Sequence, residues 1–374
     1  MMKICFISFS FYVPEHVLAP LYEYSQIMSK KGHQVTVFVR QHKENILSND
    51  RLEIKTVCKE FFIRKITHLI FLLKLISILK KERFDIVHIF NFPGVSLLPI
   101  FCKKKNRKWF MDVQSVTEEA GLKGIFYDNL TFLESMPFDG INVLNERMKN
   151  KLFGNKLLKK VKIVPLGANL KRFEEAKCDR SIWKTCGIKE NDFILVYIGQ
   201  LDEHRRLKNV LDAFRIIDER FKNKNIKLVF IGGKDDEIKK LRDKANSNFI
   251  AGKVFFLGLV SYERIPCFLK SADMGIAYIP KTVSYNIQPP LKTFEYLAAS
   301  LPVVATNTDA NLDILKDEVN GIVTSDKPED FAEGVLKLLN NDGLMLKLKR
   351  GAVDSIKSYD WEDIVDTVVR IYSS

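Results

Sequence analysis

Two short segments in the second half of the chain carry groups suited to holding a phosphorylated ligand. In the first, Gly199 and Gln200 follow an apolar run, and Arg205 and Arg206 stand just before a helical pattern. A glycine lets the chain turn sharply, and guanidinium groups at a helix entrance can bind a diphosphate through paired hydrogen bonds. We therefore predict a diphosphate site here. An exposed basic start to the helix is the competing interpretation.

The second segment, residues 288–299, begins with a Pro-Pro pair and continues as a helical pattern. Proline is favoured in the first turn of a helix, so Leu291, Lys292 and Thr293 are expected to open one. Their amides would then point outward as an anion site, with the Lys292 ammonium beside them. Glu295, one turn further on, is predicted to accept hydrogen bonds from sugar hydroxyls. A solvated helix glutamate is the alternative.

Polar side chains near strand ends in the first half could contact a second substrate. Asp112 ends a predicted strand, where a carboxylate could bind a hydroxyl or act as a general base. Ser115 and Glu118 follow it, His16 lies in the loop after the first predicted strand, and His88 lies near the end of another. A carboxylate that caps the next loop explains Asp112 equally well, and a histidine near a strand end is more often structural.

The elements that would position these groups alternate between short apolar strands and longer helical patterns, and the alternation occurs twice. This predicts an α/β fold with two doubly wound, Rossmann-like domains that face each other across a cleft. We assign residues 1–172 to the first domain, 173–357 to the second, and 358–374 to an amphipathic helix that packs back toward the first. Strands are predicted at 3–9, 34–39, 85–90, 109–113, 140–144, 193–198, 227–231, 254–257, 274–277 and 303–305.

The cysteine content favours a particular compartment. Six cysteines are scattered along the 374 residues, without a CxxC pair or a cluster of histidines. This composition argues against a disulfide framework and a structural zinc site, and it favours a reducing cytoplasm. The opening apolar run lacks a small-residue cleavage site, so we interpret it as a strand rather than a signal peptide.

The net charge of +13 has several possible explanations. Nucleic acid, an anionic membrane surface, an anionic small ligand and a solvated basic surface would each suit it. Zinc-finger spacing and a basic stripe interleaved with aromatics are both missing, which argues against nucleic acid. The apolar stretch 61–81 has a run without Lys or Arg only at 66–73, far shorter than the roughly 20 residues of a transmembrane helix. It is expected either to cover a sheet or to rest on an anionic membrane.

Longer stretches around these residues resemble family 4 of the glycosyltransferases, the glycosyl transferases group 1. The family's GRL-x-x-x-KG loop is similar to GQLDEHRRLKNVLDAF, and its E-x7-E-A-x-A-x-G-x-PVVA block is similar to IQPPLKTFEYLAASLPVVAT. Further similar stretches are VPLGANLKRF, KLVFIGGKDDEIKKL, VFFLGLVSYERIPCFLKSADMGI and NGIVT. The first half matches more loosely through KICFIS, GHQVTVF and DIVHIF. The resemblance therefore covers nearly the whole chain.

This resemblance implies the GT-B fold and a retaining sugar transfer without a metal or other cofactor. The donor, a nucleoside-diphosphate sugar, would bind the second domain, and a glycan or lipid-linked acceptor would bind the first. By position, Arg205 corresponds to the family's phosphate-binding lysine and Glu295 to the second glutamate, whose usual partner is the nucleotide ribose. The amides of Leu291 and Lys292 would face the phosphates.

The sequence departs from the family pattern in three places. Gln200 stands at the loop arginine, Ile287 at the first glutamate, and residues 14–17 at a Gly-Gly turn. Arg206 is expected to compensate for the charge missing at position 200. We expect a cytoplasmic glycosyltransferase of polysaccharide biosynthesis, with a peripheral position at the inner face of the cell membrane left open. A nucleotide-sugar epimerase or hydrolase on the same fold and a non-catalytic nucleotide-sugar-binding protein are the alternatives.

Overall fold

The computed structural model describes residues 1–13, 15–42, 50–58, 64–119, 121–157 and 159–373. The chain divides into two compact units, called here unit 1 (Met1–Leu166 with Trp361–Ser374) and unit 2 (Gly167–Asp360). Pro14, in the departure from the family pattern at residues 14–17, and residues 61–63, at the start of the predicted apolar helix, lie outside the described residues.

The strands of both units are mostly short and apolar. Unit 1 contains β1 (Lys3–Val13), β2 (His16–Val17), β3 (Gln34–His42), β4 (Leu52–Thr56), β5 (Ile86–Phe90), β6 (Lys108–Val113), β7 (Gly140–Val143) and β8 (Val161–Ile163). Unit 2 contains β9 (Phe193–Ile198), β10 (Ile226–Ile231), β11 (Val254–Phe256), β12 (Met274–Ala277), β13 (Val303–Thr306) and β14 (Ile322–Thr324). All ten predicted strands are present, and β1 and β3 extend beyond their predicted ends.

Helices follow most of these strands. They are α1 (Ala19–Lys30), α2 (Arg64–Lys81), α3 (Leu97–Phe101), α4 (Gly121–Ser135), α5 (Glu146–Leu152), α6 (Leu170–Glu175), α7 (Lys208–Arg220), α8 (Asp235–Ser247), α9 (Ile265–Lys270), α10 (Leu291–Ala298), α11 (Asp309–Leu312), α12 (Pro328–Leu339), α13 (Asp342–Gly351) and α14 (Trp361–Ser373). The predicted α/β alternation is therefore confirmed in both units.

The sheet of unit 1 has the strand order β4-β3-β1-β5-β6-β7-β8, and β2 pairs with β1. All pairs are parallel except β1 with β2. Every residue of β5 is buried, as expected for a strand covered on both faces. Because crossovers between parallel strands are right-handed, α1 lies on one face, and α2, α3, α4 and α5 lie on the other.

The sheet of unit 2 has the parallel strand order β11-β10-β9-β12-β13-β14. The chain winds from β9 through β10 to β11 and then restarts on the other side of β9 with β12. The carboxyl ends of β9 and β12 thus form a topological switch point, where open α/β sheets bind ligands. Gly199 follows β9 directly.

The C-terminal helix α14 belongs to unit 1 and packs against α1. The rings of Tyr24 and Trp361 meet edge to face, with centroids 5.9 Å apart. At the end of α1, Lys31 Nζ lies 2.5 Å from a carboxylate oxygen of Asp366. The buried face of α14 includes Ile364 and Val365, which belong to its predicted apolar face.

One expectation about the cysteines is wrong. Cys178 and Cys267 form a disulfide within unit 2, with their Cα atoms 5.0 Å apart. The two cysteines are 89 residues apart in sequence, and packing of α6 against α9 brings them together. The Lys270 ammonium of α9 also donates to the carbonyl oxygens of Phe173 and Ala176. Spacing along the chain does not report such proximity, and the cytoplasmic location inferred from the cysteines stays a prediction.

Helix α2 covers the sheet of unit 1 through one apolar face. Thr67, Phe71, Leu75 and Leu79 on that face are fully buried. Among the helices in the described ranges, none combines the length and the apolarity that crossing a membrane requires. The sheet-covering interpretation therefore holds for this face of α2.

Candidate functional site

The loops after β9 and β10 need glycine for two different reasons, a positive φ in the first and a close backbone approach in the second. Gly199 has a φ of +123°, in the region that favours glycine, and a Cβ there would lie 3.5 Å from Lys292 Nζ. A Cβ at Gly232, after β10, would lie only 2.1 Å from the carbonyl oxygen of Gly199. The loops after β9 and β10 therefore pack tightly together. Gly232 is not among the predicted site residues. The Gly-Gly pair that follows a predicted strand is the sequence pattern that could have identified it.

Lys292 is a buried cation beside this loop. Only 9% of the residue is exposed, and its Nζ lies 3.4 Å from the centroid of the Tyr197 ring. Within the described part of the chain, nothing accepts a hydrogen bond from this ammonium. Burial lowers the pKa of Lys292 well below its usual range, and the charge of Arg205 lowers it further. An anion bound here would supply both the missing partner and the missing countercharge.

Arg205 lies close enough to Lys292 for its charge to act on that ammonium. It ends the short 3-10 helix Glu203–Arg205, and its Nη2 donates to Gln200 Oε1 over 2.8 Å. The guanidinium also stacks on Tyr285, 4.4 Å from the ring centroid. Gln200 thus accepts a hydrogen bond from Arg205, which an arginine at position 200 could not do. The departure at position 200 exchanges a second cation for a group that orients the first.

The amino end of α10 completes the arrangement. Pro290 precedes the helix, and no side chain caps its first amides. The helix dipole therefore adds partial positive charge beside Lys292. The Thr293 hydroxyl is buried and donates to Asn311 Oδ1 over 3.0 Å, so it stabilises the helix start from inside. Glu295 is buried rather than solvated, and its charge opposes the lowering of the Lys292 pKa.

Arg206, the residue after Arg205, interacts with a different group, Tyr278. It is exposed, with a φ of +48°, and its charge acts on the hydroxyl of Tyr278. Burial raises the pKa of Tyr278 to about 12, and its hydroxyl donates to the carbonyl oxygen of Asp326. That Arg206 compensates for Gln200 stays a prediction. The structure thus brings together Gly199, Gln200, Arg205, Lys292 and the amino end of α10, called here the cationic site.

In unit 1, Asp112 belongs to a buried polar network. Its Oδ2 lies 3.1 Å from His88 Nε2, and its Oδ1 accepts from Gln114 Nε2 over 2.5 Å. His88 Nδ1 lies 2.7 Å from the hydroxyl of Tyr372 on α14. Asp112, His88 and Tyr372 are all buried. These contacts fit a structural carboxylate and a structural histidine, and contact of Asp112 with an acceptor stays a prediction.

The remaining acceptor-side candidates of unit 1 lie in one loop and one short strand. Ser115 and Glu118 are exposed in the loop between β6 and α4. His16 lies in β2, and its side chain is outside the described part of the structure. Within the described ranges, no group of three or more His, Cys, Asp or Glu side chains could hold a metal ion.

Comparison with known proteins agrees with this fold. The model of the glycosyl transferases group 1 matches residues 181–354, and the model of the glycosyl transferase 4-like family matches residues 3–116. An uncharacterized glycosyltransferase of Methanocaldococcus jannaschii is 26% identical over 324 residues, which cover 80% of this chain and 77% of that protein.

Two further relatives extend the comparison. The phosphatidyl-myo-inositol mannosyltransferase of Mycobacterium leprae is 29% identical over 182 residues, or 48% of this chain and 46% of that protein. The structure of HepE of Anabaena, in complex with UDP and glucose, has a TM-score of 0.80 at 13% identity and covers all of both chains. At that identity the structural likeness shows the fold alone.

The two units with parallel sheets define the GT-B class of α/β proteins. The chain is a glycosyltransferase, whose second half matches the model of the glycosyl transferases group 1 and whose first half matches the model of the glycosyl transferase 4-like family.

Proposed function

We propose that this enzyme takes its sugar from a nucleoside-diphosphate sugar whose diphosphate binds the cationic site. The observation that carries the proposal is the Lys292 ammonium, buried without a hydrogen-bond partner among the described residues and next to Arg205. Two adjacent cations and a free helix start suit a ligand with two phosphates. The bound UDP of the HepE structure supports the same ligand class.

The same groups would serve the transfer step. As the bond between the sugar and the diphosphate breaks, negative charge grows on the departing diphosphate. Arg205, Lys292 and the α10 amides would stabilise that charge, which is the main electrostatic task in such a reaction. We therefore propose that the transfer needs no bound metal. Retention of anomeric configuration is part of the proposal through the family resemblance.

The donor's sugar and ribose hydroxyls require acceptors of hydrogen bonds. Glu295, buried one turn into α10, is proposed to bind one of these hydroxyls. We propose a hexose as the transferred sugar and a glycan or lipid-linked molecule as its acceptor, in polysaccharide biosynthesis. The mannosyltransferase relative, named for a phosphatidylinositol, supports the lipid-linked choice. The acceptor residues proposed in unit 1 are Asp112, Ser115, Glu118 and His16.

The proposal can be tested by melting the protein with a panel of nucleotide sugars in the presence of EDTA. A ligand that binds only the native state must raise the melting temperature. We expect one nucleotide sugar to do so, and we expect slow release of its nucleoside diphosphate. A strict metal requirement would contradict the proposal. Binding without any turnover, with acceptors supplied, would support a binding protein, and donor hydrolysis or isomerisation without transfer would support the hydrolase or epimerase.

A further inference from the structure

Helix α4 is packed with its apolar side chains outward. The residues it buries are Gly124, Glu134 and Ser135, whereas Leu122, 86% exposed, and Phe126, 62% exposed, face solvent. The buried Glu134 carboxylate accepts a hydrogen bond from the Gly94 amide, so the orientation of the helix is fixed by a polar contact. Burial raises the pKa of this carboxyl. An ordinary surface helix would have the opposite arrangement.

The neighbouring helices on the same face of the sheet continue this apolar surface. On α2, Ile66, Leu69 and Leu73 lie on one side at helical spacing and are exposed, although the opposite side of the helix is buried. On α3, Ile100 and Phe101 are exposed as well. Contacts join α2 to α3, and the Gly94–Glu134 hydrogen bond joins the loop before α3 to α4. The three helices therefore present one apolar surface, called here the α2–α4 face.

Exposed apolar residues are concentrated on this face. Of the twenty large exposed hydrophobic residues in the described part of the chain, twelve lie between residues 66 and 136, about a fifth of the sequence. Single exposed apolar residues need no explanation, but a large contiguous group marks a surface that is covered in use. The partner must therefore offer an apolar layer.

The charges on the same helices identify that partner. Neither α2 nor α3 contains an acidic residue. Exposed lysines lie among the apolar side chains and just beyond them, at Lys65, Lys74, Lys80, Lys81, Lys103 and Lys105. On α4, Asp128 pairs with Lys151, and the exposed Glu119 before the helix pairs with Lys123. Unit 1 contains 28 of the 59 basic and 18 of the 46 acidic residues, so it carries +10 of the net charge of +13.

We infer that the α2–α4 face docks on an anionic lipid bilayer. Apolar side chains would enter the interface between headgroups and acyl chains, and the surrounding lysines would pair with anionic headgroups. Among the described helices none can span a membrane, so the contact would be peripheral. The inference goes beyond the proposed function, and it concerns residues of unit 1, whereas the cationic site lies in unit 2.

Co-sedimentation of the full chain with vesicles tests the inference, with no donor or acceptor present. Vesicles of phosphatidylcholine with phosphatidylglycerol are compared with vesicles of phosphatidylcholine alone. We expect binding to the mixed vesicles that falls with added salt, and much weaker binding to the neutral ones. Equal binding to both kinds of vesicle, or no binding to either, overturns the inference.

Matched variants assign the binding to the face. The double variant Leu122→Ser/Phe126→Ser removes two exposed side chains and should reduce vesicle partitioning roughly 10-fold or more. The control Phe249→Ser/Leu346→Ser removes two exposed apolar residues of unit 2, and it should bind like the wild type. Lys103→Gln/Lys105→Gln should weaken binding to the anionic vesicles alone, by roughly 10-fold. Equal partitioning of the two serine variants contradicts the inference.

Two further measurements separate this inference from other outcomes. Sedimentation velocity measures the oligomeric state of the wild type and of the Leu122→Ser/Phe126→Ser variant. A dimeric wild type and a monomeric variant would assign the face to a second copy of the chain and overturn the inference that it binds a bilayer. The donor-induced rise in melting temperature should be the same in this variant and in the wild type. If the donor raises the melting temperature of neither protein, the proposed function is contradicted. The vesicle result still tests the membrane inference independently.

Discussion

At the scale of single residues, Lys292 determines the electrostatics of the cationic site. A buried ammonium without a hydrogen bond is costly, and its contact with the Tyr197 ring offsets about 2 kcal/mol of that cost. The nearby Arg205 adds repulsion, which is one cause of the lowered pKa of Lys292. Such an arrangement is typical of a site that is completed by an anion.

This electrostatic arrangement predicts how donor binding depends on pH. A bound diphosphate stabilises the charged ammonium, so the pKa of Lys292 should rise on binding and a proton should be taken up. Donor affinity should therefore fall as the pH rises through the lowered pKa of the free enzyme. Calorimetric titrations with a nucleotide sugar from about pH 6 to about pH 9 measure this, because its phosphates have no titrating group in that range. Lys292→Met should bind more weakly and without this pH dependence, and wild-type affinity that increases with pH would refute the prediction.

Arg205 should contribute to the transition state more than to folding. Arg205→Ala should lower kcat/KM by an amount equivalent to about 2–4 kcal/mol, because it removes a cation from the departing diphosphate. Arg215→Ala is the matched control, since Arg215 is an exposed arginine of α7 that pairs with Glu219 of the same helix. Steady-state kinetics of both variants give the comparison. If the two have the same kcat/KM, Arg205 is not part of the site.

Sequence motifs located Arg205 and Lys292 but could not assign the role of Gln200. The motif predicts which positions would surround the phosphates, because the loop after β9 and the start of α10 are each local in sequence. It reports Gln200 only as a missing arginine. The hydrogen bond from Arg205 to Gln200 becomes visible only when both side chains are placed.

At the scale of elements, the C-terminal helix is anchored by a polar contact in the middle of an apolar interface. Tyr372 of α14 hydrogen-bonds His88 of β5, which in turn contacts Asp112 of β6. Burial raises the pKa of Tyr372, so its hydroxyl stays neutral. The network therefore links the helix to two strands of unit 1.

Removing the Tyr372 hydroxyl should destabilise unit 1. Tyr372→Phe leaves a ring nitrogen of the buried His88 without its partner, which should cost about 1–3 kcal/mol in the free energy of unfolding. Tyr127→Phe, which removes a hydroxyl from a more exposed tyrosine of α4, is the control and should change stability by less than about 0.5 kcal/mol. Urea titrations of both variants decide the matter. Equal stability of the two would show that the hydrogen bond contributes nothing.

The elements themselves could be predicted from the sequence, whereas the contacts between distant elements could not. Strands such as β9 are continuous apolar runs, and α10 begins after a Pro-Pro pair, so both patterns are local. Tyr372 is 284 residues from His88, and no local pattern reports that distance in space. Periodicity could not predict that the apolar face of α4 points outward, because a pattern shows which residues share a side of a helix and not which side is buried.

At the scale of the whole molecule, we expect the disulfide of unit 2 to contribute to the stability of the protein in solution. Cys178 and Cys267 close a loop of 89 residues, and loss of a native disulfide of this kind typically costs about 2–5 kcal/mol. A reducing agent should therefore lower the denaturation midpoint of the wild type. The Cys178→Ser/Cys267→Ser variant should be less stable and insensitive to the reductant. A wild type with the same midpoint under both conditions would contradict a stabilising cross-link.

Charge also differs between the two units. Unit 1 carries +10 and unit 2 the remaining +3 of the net charge. The total alone is compatible with nucleic acid, an anionic membrane, a small anion or a solvated basic surface. The distribution of the charge favours an anionic surface as the binding partner of unit 1. The cationic site of unit 2 depends on only a few charged groups at defined positions.

Calorimetric titration with a nucleoside diphosphate and with the matching nucleoside measures whether the cationic site holds the donor's diphosphate. The nucleotide is the one whose sugar derivative raises the melting temperature. We predict that the wild type binds the diphosphate at least about 100-fold more tightly than the nucleoside, and that Arg205→Ala/Lys292→Met loses most of this difference while its affinity for the nucleoside is unchanged. A double variant that keeps the full wild-type preference for the diphosphate would contradict the account.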